Sequence, residues 1–546
     1  MFRVLILLAV PLILLACVKE PEVIPPAAAH PTNAVWLVMV YLDGDNNLES
    51  DALKDMNEIE AAACLTNTNI IVVVLFDRNY GYSISDGNWT GTRLYHAIYQ
   101  NETIDNKIVS LRLSGMGLSG TGDDDELNMG DPATLAAFVD WAGTVYNAQH
   151  TFLILWNHGD GWMNDSTFQP LGVCYDDSHG DDFIGNNEFS YALEGKGVDA
   201  VGFDACLMTM YETAYELKDC ADTLIASADL EPNGGWQYHD WLDRFDTCLT
   251  VSNLCRSLVM SYSNTYASSI NYYTTLSAID LTKMDALHIE FEAFVQDLFA
   301  LTNLWYNPAH SNYPAQFVYT VTNLVERYWE PVEYGYFHAD LYDLASNLNL
   351  ASSPALMSAI ADAVICYYKH PLGNIYTGNP RSHGLALYFG SYFRTLNSSS
   401  LPVHLYDDYD YTTNSLSAFQ TNSLWDDYLY ALYQFPHFTW TGVGTNTDVL
   451  ADRERDYYQI WVTSAGTLDI FLDAPPSCND YLYLYKDDLF ETNRIASSEK
   501  MTAGTNQSIS NIAVTPGWYL IEVWRYDTSN PSEPYTLVIG GTAGIY

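Results

Sequence analysis

Apolar residues are distributed along the chain in three textures. In the first, the runs VWLVMVYL (35–42), NIIVVVLFD (69–77), TFLILW (151–156) and VDAVGF (198–203) are apolar at nearly every position. That is the pattern of strands covered on both faces of a parallel sheet. TLIASA (223–228) predicts a fifth strand of the same kind. Between these runs, DGDNNLESDALKDMNEIEAAA (43–63) and DPATLAAFVDWAGTVYNAQ (131–149) predict helices, the second with Pro132 in its first turn. A Tyr-, Thr- and Gly-rich stretch from Gly81 to Leu113 predicts a hairpin. Strands alternating with helices imply βαβ units, and hence an α/β three-layer sandwich around a mostly parallel sheet.

The second texture, 251–435, is mostly helical, with one strand expected at GLALYF (384–389). The third begins near Pro436. Short alternating runs such as DYYQIWV, GTLDIFL, DYLYLYK, GWYLIEVW and PYTLVIG, separated by turn residues, predict an all-β sandwich of about a hundred residues. The expected organisation is an export signal (1–17), a Pro/Ala-rich tether (18–33), an α/β domain (34–435, with its core in 35–241 and a helical extension in 251–435) and a β-sandwich (436–546).

Composition narrows the partners. The net charge of −46, from 68 acidic and 22 basic side chains, argues against nucleic-acid binding, which needs Lys and Arg to neutralise phosphates. It suits a chain exposed to extracellular fluid, expected to act as a monomer. The opening MFRVLILLAVPLILLAC fits an export signal, too short to span a membrane. Its end, Leu14-Leu15-Ala16-Cys17, resembles the lipobox of bacterial lipoproteins. That resemblance implies cleavage before Cys17, lipidation of its thiol and residence in the cell envelope. Nine cysteines with no zinc-type spacing leave any disulfide pairing open.

Chemistry concentrates where the apolar strands end. Cys206 follows the strand ending in Asp204, and His158 follows the strand TFLILW, 48 residues earlier. Ligands bind at the C-terminal strand ends of open α/β sheets. Two neighbouring strands ending in His and Cys would place a base beside a thiol nucleophile, and a helix opening at Cys206 would lower the thiol pKa. Gly159 would let substrate approach the backbone and offer its N–H to an oxyanion. Asp204, two residues before Cys206, suits either a helix cap or a carboxylate on the thiol's side of the strand.

VWLVMVYLDGDNNLE, LILWNHGDGW, VDAVGFDACLMTMYETAYEL and SADLEPNGGWQYHDW, in this order, resemble the clostripain family of cysteine peptidases, relatives of caspases, gingipains and legumain. The resemblance runs from about Val35 to Trp241 and thins out towards Phe435. It implies a caspase-like fold, His158 as base, Cys206 as nucleophile, and peptides or proteins as substrates. No third catalytic member is needed, since Asn157 or backbone groups can orient the ring. It also implies a preference for Arg or Lys before the cut, held by Asp204, with Asp229 and Glu231 as further pocket candidates. No cofactor is required for this chemistry. Some members depend on calcium, and the loop CYDDSHGDDFIGNNE offers Asp176, Asp177, Asp181 and Asp182 as oxygen ligands; a plain solvated acidic loop is the other reading. The C-terminal strands resemble the bacterial pre-peptidase C-terminal domain. A retired peptidase scaffold serving as a surface adhesion lipoprotein is the competing function. Relatives cut themselves after a basic residue between His and Cys, but Lys196 is the sole Lys or Arg from Gly159 to Ala205, so an uncut chain is expected.

Overall fold

A computed structural model describes the chain from 32 to 545, apart from 68, 101–104, 106, 123–125, 162–171, 245–249, 270–272, 305–323, 329–337, 373–380, 390–417, 426–427, 429–437, 441–443, 450–454, 487–493, 501 and 529–532. Cys17, the signal and most of the tether lie outside the described residues.

The α/β part is built in chain order from β1 (Asn33–Gly44), α1 (Glu49–Ala61), β2 (Ile70–Arg78), β3 (Arg93–His96), β4 (Leu111–Arg112), α2 (Pro132–Val145) and β5 (Asn147–Trp156). It continues through β6 (Val173–Asp176), β7 (Asp182–Ile184), α3 (Phe189–Leu193), β8 (Val198–Asp204), α4 (Tyr211–Leu217), β9 (Ala221–Ala226), α5 (Tyr238–Asp243), α6 (Val251–Tyr266), β10 (Thr275–Asp280) and α7 (Met284–Leu304). After these come β11 (Arg327–Tyr328), β12 (His338–Asp340), β13 (Val364–Lys369) and β14 (Ala386–Tyr388). One sheet runs β13-β10-β9-β8-β5-β1-β2-β3-β4. Its five central strands, β9 to β2, are parallel, and antiparallel pairs close both edges.

The sequence dictates the layers. Along β1, Trp36, Val38, Val40 and Leu42 pack against Leu53 and Met56 of α1 and Leu254 and Leu258 of α6. The alternate residues Leu37, Met39 and Tyr41 pack on the other face, with Phe138 of α2 and Phe291 of α7. A strand apolar at every position is thus one that must be covered twice. Each such side chain, fully buried, contributes about 1.5–3 kcal/mol. Asp131 caps α2 by accepting the Ala133 N–H (2.8 Å), and Pro132 occupies the first turn.

The stretch expected to be mostly helical holds further strands, β10 to β13. β10 and β13 are strands, and they extend the main sheet beyond β9. β13 follows a helix directly and has a half-exposed VICYYK pattern, so it lacks the continuous apolar signature of the central strands. The expected strand at GLALYF is β14, paired to β12. Beyond residue 437, strands including Arg455–Ser464, Cys478–Lys486 and Gly517–Thr528 form one sheet, and Gly466–Asp473, Gln507–Val514 and Pro534–Gly541 belong to a second. Ile460, Leu482, Ile521, Ile470 and Leu537 make a core of their own there.

Candidate active site

The C-terminal ends of β1, β5, β8 and β9 lie side by side, and each carries polar residues at its tip. The register pairs Leu42 with Trp156 and Trp156 with Asp204. His158 and Cys206 each lie two residues beyond such a pair, so they leave neighbouring strands at the same level. Gly159 fixes the approach: a Cβ there would stand 2.4 Å from the Cys206 carbonyl oxygen. The glycine is needed because the chain's own backbone fills that space, a different reason from the substrate access expected from the sequence.

The imidazole of His158 is oriented by a residue the sequence reading did not select. Its Nε2 lies 2.7 Å from Asn47 Oδ1, in the loop after β1. A carboxamide oxygen only accepts, so Nε2 carries the proton and Nδ1 the lone pair. Asn157 works one step back. Its Nδ2 donates to the backbone and side-chain oxygens of Asp43 (3.0 and 2.5 Å), and its Oδ1 accepts the His158 N–H. Burial pushes the His158 pKa below its ordinary value, with Asp177 acting weakly in the other sense.

Cys206 does not open a helix: α4 begins five residues later, at Tyr211. The chain turns sharply at Leu207, whose φ of 64° is left-handed, and Leu207 N–H is held by Asp229 O (3.2 Å). The expected lowering of the thiol pKa is therefore absent. Burial pushes it up to about 12, the carboxylates of Glu231, Asp160 and Asp229 add to the rise, and only the Glu231 N–H, donated to Sγ at 3.1 Å, opposes it. Burial therefore favours the uncharged form of each of the two groups. Among the described hydrogen bonds none links the two side chains.

Asp204 is no helix cap either. Its carboxylate is buried and accepts from Trp236 N–H (3.2 Å) and Tyr238 OH (2.9 Å). Gly235, at φ +39°, is the close approach that permits this, since a Cβ there would meet Asp204 Oδ1 at 2.6 Å. Glu231 lies against it, with both oxygens buried and accepting no well-formed hydrogen bond. Asp55 and Glu58 of α1 complete the group: Asp55 accepts from Trp156 Nε1 (2.7 Å) and Glu58 from Tyr238 N–H (3.0 Å). Burial comes first in raising all four carboxyls, Asp204 to about 6; repulsion within the group adds to it for Asp55, Asp204 and Glu231, whereas His239, 3.5 Å from Glu58, acts on Glu58 in the other sense. No Lys or Arg among the described residues pairs with any of them. Asp229 is buried beside them, but its Oδ1 turns back to cap Leu230 N–H (2.8 Å).

The four aspartates expected to share a cation each have hydrogen-bond partners or solvent of their own. Asp176 is buried and spends its oxygens on Met129 N–H (2.8 Å) and on the N–H and ring of His179. Asp177 accepts from Tyr82 OH, Asp182 from Asn128, and Asp181 is exposed at φ 61°. In the hairpin β6–β7 the Asp177 carboxyl nonetheless lies against that of Asp181 and near Asp176, while Asp182 turns towards Asn128.

A family model described as the clostripain family matches residues 40–431. The chain belongs to the clostripain family. Clostripain from Hathewaya histolytica is 31% identical over 243 residues, 41% of this chain and 45% of that protein, so the match spans less than half of the curated relative. A secreted C11 cysteine protease from Bacteroides thetaiotaomicron, solved with an irreversible peptide inhibitor, has a TM-score of 0.50 and 17% identity, covering 72% of this chain and 99% of its own. An inactive zymogen C11 protease from Parabacteroides distasonis has a TM-score of 0.49 and 21% identity, covering 66% and 92%. In this clostripain-family chain the matched span contains every strand end that meets at the site.

Proposed function

We propose that the protein is an exported cysteine endopeptidase that cuts after Arg or Lys. Cys206 Sγ attacks the scissile carbonyl carbon while His158 Nδ1 takes the thiol proton. The Gly159 N–H stabilises the developing oxyanion. His158 returns the proton to the leaving amine, and water, deprotonated by the same ring, hydrolyses the thioester.

The observation that supports the specificity is the carboxylate group directly behind the thiol. Glu231 gives its N–H to Sγ while its own carboxyl is buried against Asp204 without a cation. Burying several carboxyls together is costly unless a cation joins them. A substrate guanidinium or ammonium supplies that charge, with hydrogen bonds strengthened by ionisation. Export and lipidation at Cys17 complete this reading. They are supported by the sequence of the first 17 residues and by the secreted character of the Bacteroides thetaiotaomicron relative.

Hydrolysis of a peptide panel differing only before the cut tests it. Cys206→Ala abolishes turnover. Asp204→Asn lowers kcat/KM for Arg and Lys peptides by up to about 3–5 kcal/mol, the cost of breaking a buried charge pair, and neutral peptides by much less. An equal loss on basic and neutral peptides would reject the pocket assignment.

A further inference from the structure

Apolar side chains stand in solvent just beyond the tip of β2. Tyr80, Tyr82 and Ile84 are 78%, 49% and 83% exposed. Isolated exposed apolar residues are ordinary, but three in five residues of a chain with net charge −46 mark a contact surface. Their backbone is moored from beneath. Arg78, buried and paired with Glu49 (2.7 Å), donates to the carbonyls of Ser83 (3.4 Å) and Ser85 (3.2 Å), and Glu49 also accepts the Ser83 N–H. A loop held in this way loses little backbone entropy when something docks on it. A short run of contacts joins it to the dyad. Tyr82 OH donates to Asp177 Oδ2 (2.8 Å) and Asp177 N–H to Asp45 O (2.9 Å); Asp45 begins the turn that carries Asn47, the partner of His158 (2.7 Å).

The sheet order places this loop on one side of the cleft. It runs β9-β8-β5-β1-β2. Asp204 ends β8 and Glu231 follows β9, so the pocket for the residue before the cut lies on that side of Cys206. The amine that leaves must face His158, beyond β5, because that ring protonates it. The peptide after the cut then continues away from the pocket, across the tips of β1 and β2. From β5 to β2 is two strand spacings, about 10 Å, and an extended peptide advances about 3.3 Å per residue. We propose that Tyr80, Tyr82 and Ile84 form a subsite for the leaving half of the substrate, taking an aromatic or large aliphatic side chain at the second or third residue after the cut. An apolar side chain laid on them removes water from both surfaces. The subsite rests on the peptidase reading above and adds to it a preference on the far side of the scissile bond.

Quenched fluorescent peptides test this. They share one half ending in Arg, and their leaving halves differ only at the second and third residues. An arginyl coumarylamide, which has no leaving peptide, is the reference substrate. With the full chain, kcat/KM should be about tenfold or more higher for Phe, Tyr or Leu than for Ser or Asp at one of these positions, the size of a good apolar contact. Tyr80→Ser and Ile84→Ser together should bring that ratio close to one. Ile289→Ser, which removes a comparably exposed apolar side chain on α7, should keep the parent's ratio. All three changes are at exposed positions, and a ratio measured within one protein is independent of the amount of active enzyme. Turnover of the coumarylamide with no preference among leaving halves, or a preference that survives in the double variant, would overturn the subsite and leave the peptidase reading standing. No turnover of any of these substrates by the parent would overturn that reading and the subsite with it.

Discussion

His158 depends on a residue 111 positions away in sequence, and Asn47 is the most direct test of how the dyad is set. With Asn47 Oδ1 removed, the ring can flip or change tautomer, and Nδ1 is no longer held as the free base. General-base assistance is worth about 10²–10⁴-fold, so Asn47→Ala should lower kcat about tenfold or more with little change in KM. An unchanged kcat would show that the backbone alone orients the imidazole. Trp236 and Tyr238 are also local surprises: the Trp236 backbone N–H, in the loop after β9, and the Tyr238 phenol, at the start of α5, hold Asp204.

The strands that carry the site were legible because their composition is extreme. An eight-residue apolar run admits little but a doubly covered strand, and the order of such runs fixes which tips become neighbours. From that followed His158, Cys206 and Asp204 at one edge. Asn47, Asp55 and Glu58 were not legible, because nothing local separates them from ordinary capping residues or the wet face of a helix. Asp55 is buried and accepts a hydrogen bond from Trp156 of β5, a partner 101 positions away in sequence. Carboxylates show the same limit: four aspartates in one loop are conspicuous in sequence, whereas Asp45, Asp77 and Glu126 converge only in three dimensions. The connection from β5 to β8 carries its own prediction. Lys196 sits between two glycines of positive φ just before β8 and pairs with Asp140 (2.6 Å). Cutting there would free the strand that delivers Cys206. Intact mass and N-terminal sequencing of active enzyme should show one continuous chain from His158 to Cys206. A new N-terminus in that interval, absent from the Cys206→Ala variant, would refute this.

Across the whole molecule the carboxyls set the pH dependence of stability. Burial raises Glu60 to about 7, Asp204 to about 6 and Glu212 to about 8. Unfolded carboxyls titrate near 4, so between about pH 4 and 8 the folded chain holds protons that the unfolded chain releases. Stability therefore falls as pH rises through this window, and the net charge of −46 adds repulsion in the same direction. The melting midpoint of metal-free Cys206→Ala protein should be higher at pH 5.5 than at pH 8, conditions chosen to bracket these groups; the opposite order would mean that these carboxyls are solvated or paired. Nine cysteines in one chain also allow the central assignment to be tested against every alternative thiol at once. The measurement is peptide mapping by mass spectrometry after reaction of the whole protein with an irreversible thiol-directed peptide inhibitor ending in Arg or Lys. One adduct, on Cys206 and lost in His158→Ala, is the predicted result. An adduct on another cysteine, or labelling of Cys206 that is indifferent to His158, would contradict it.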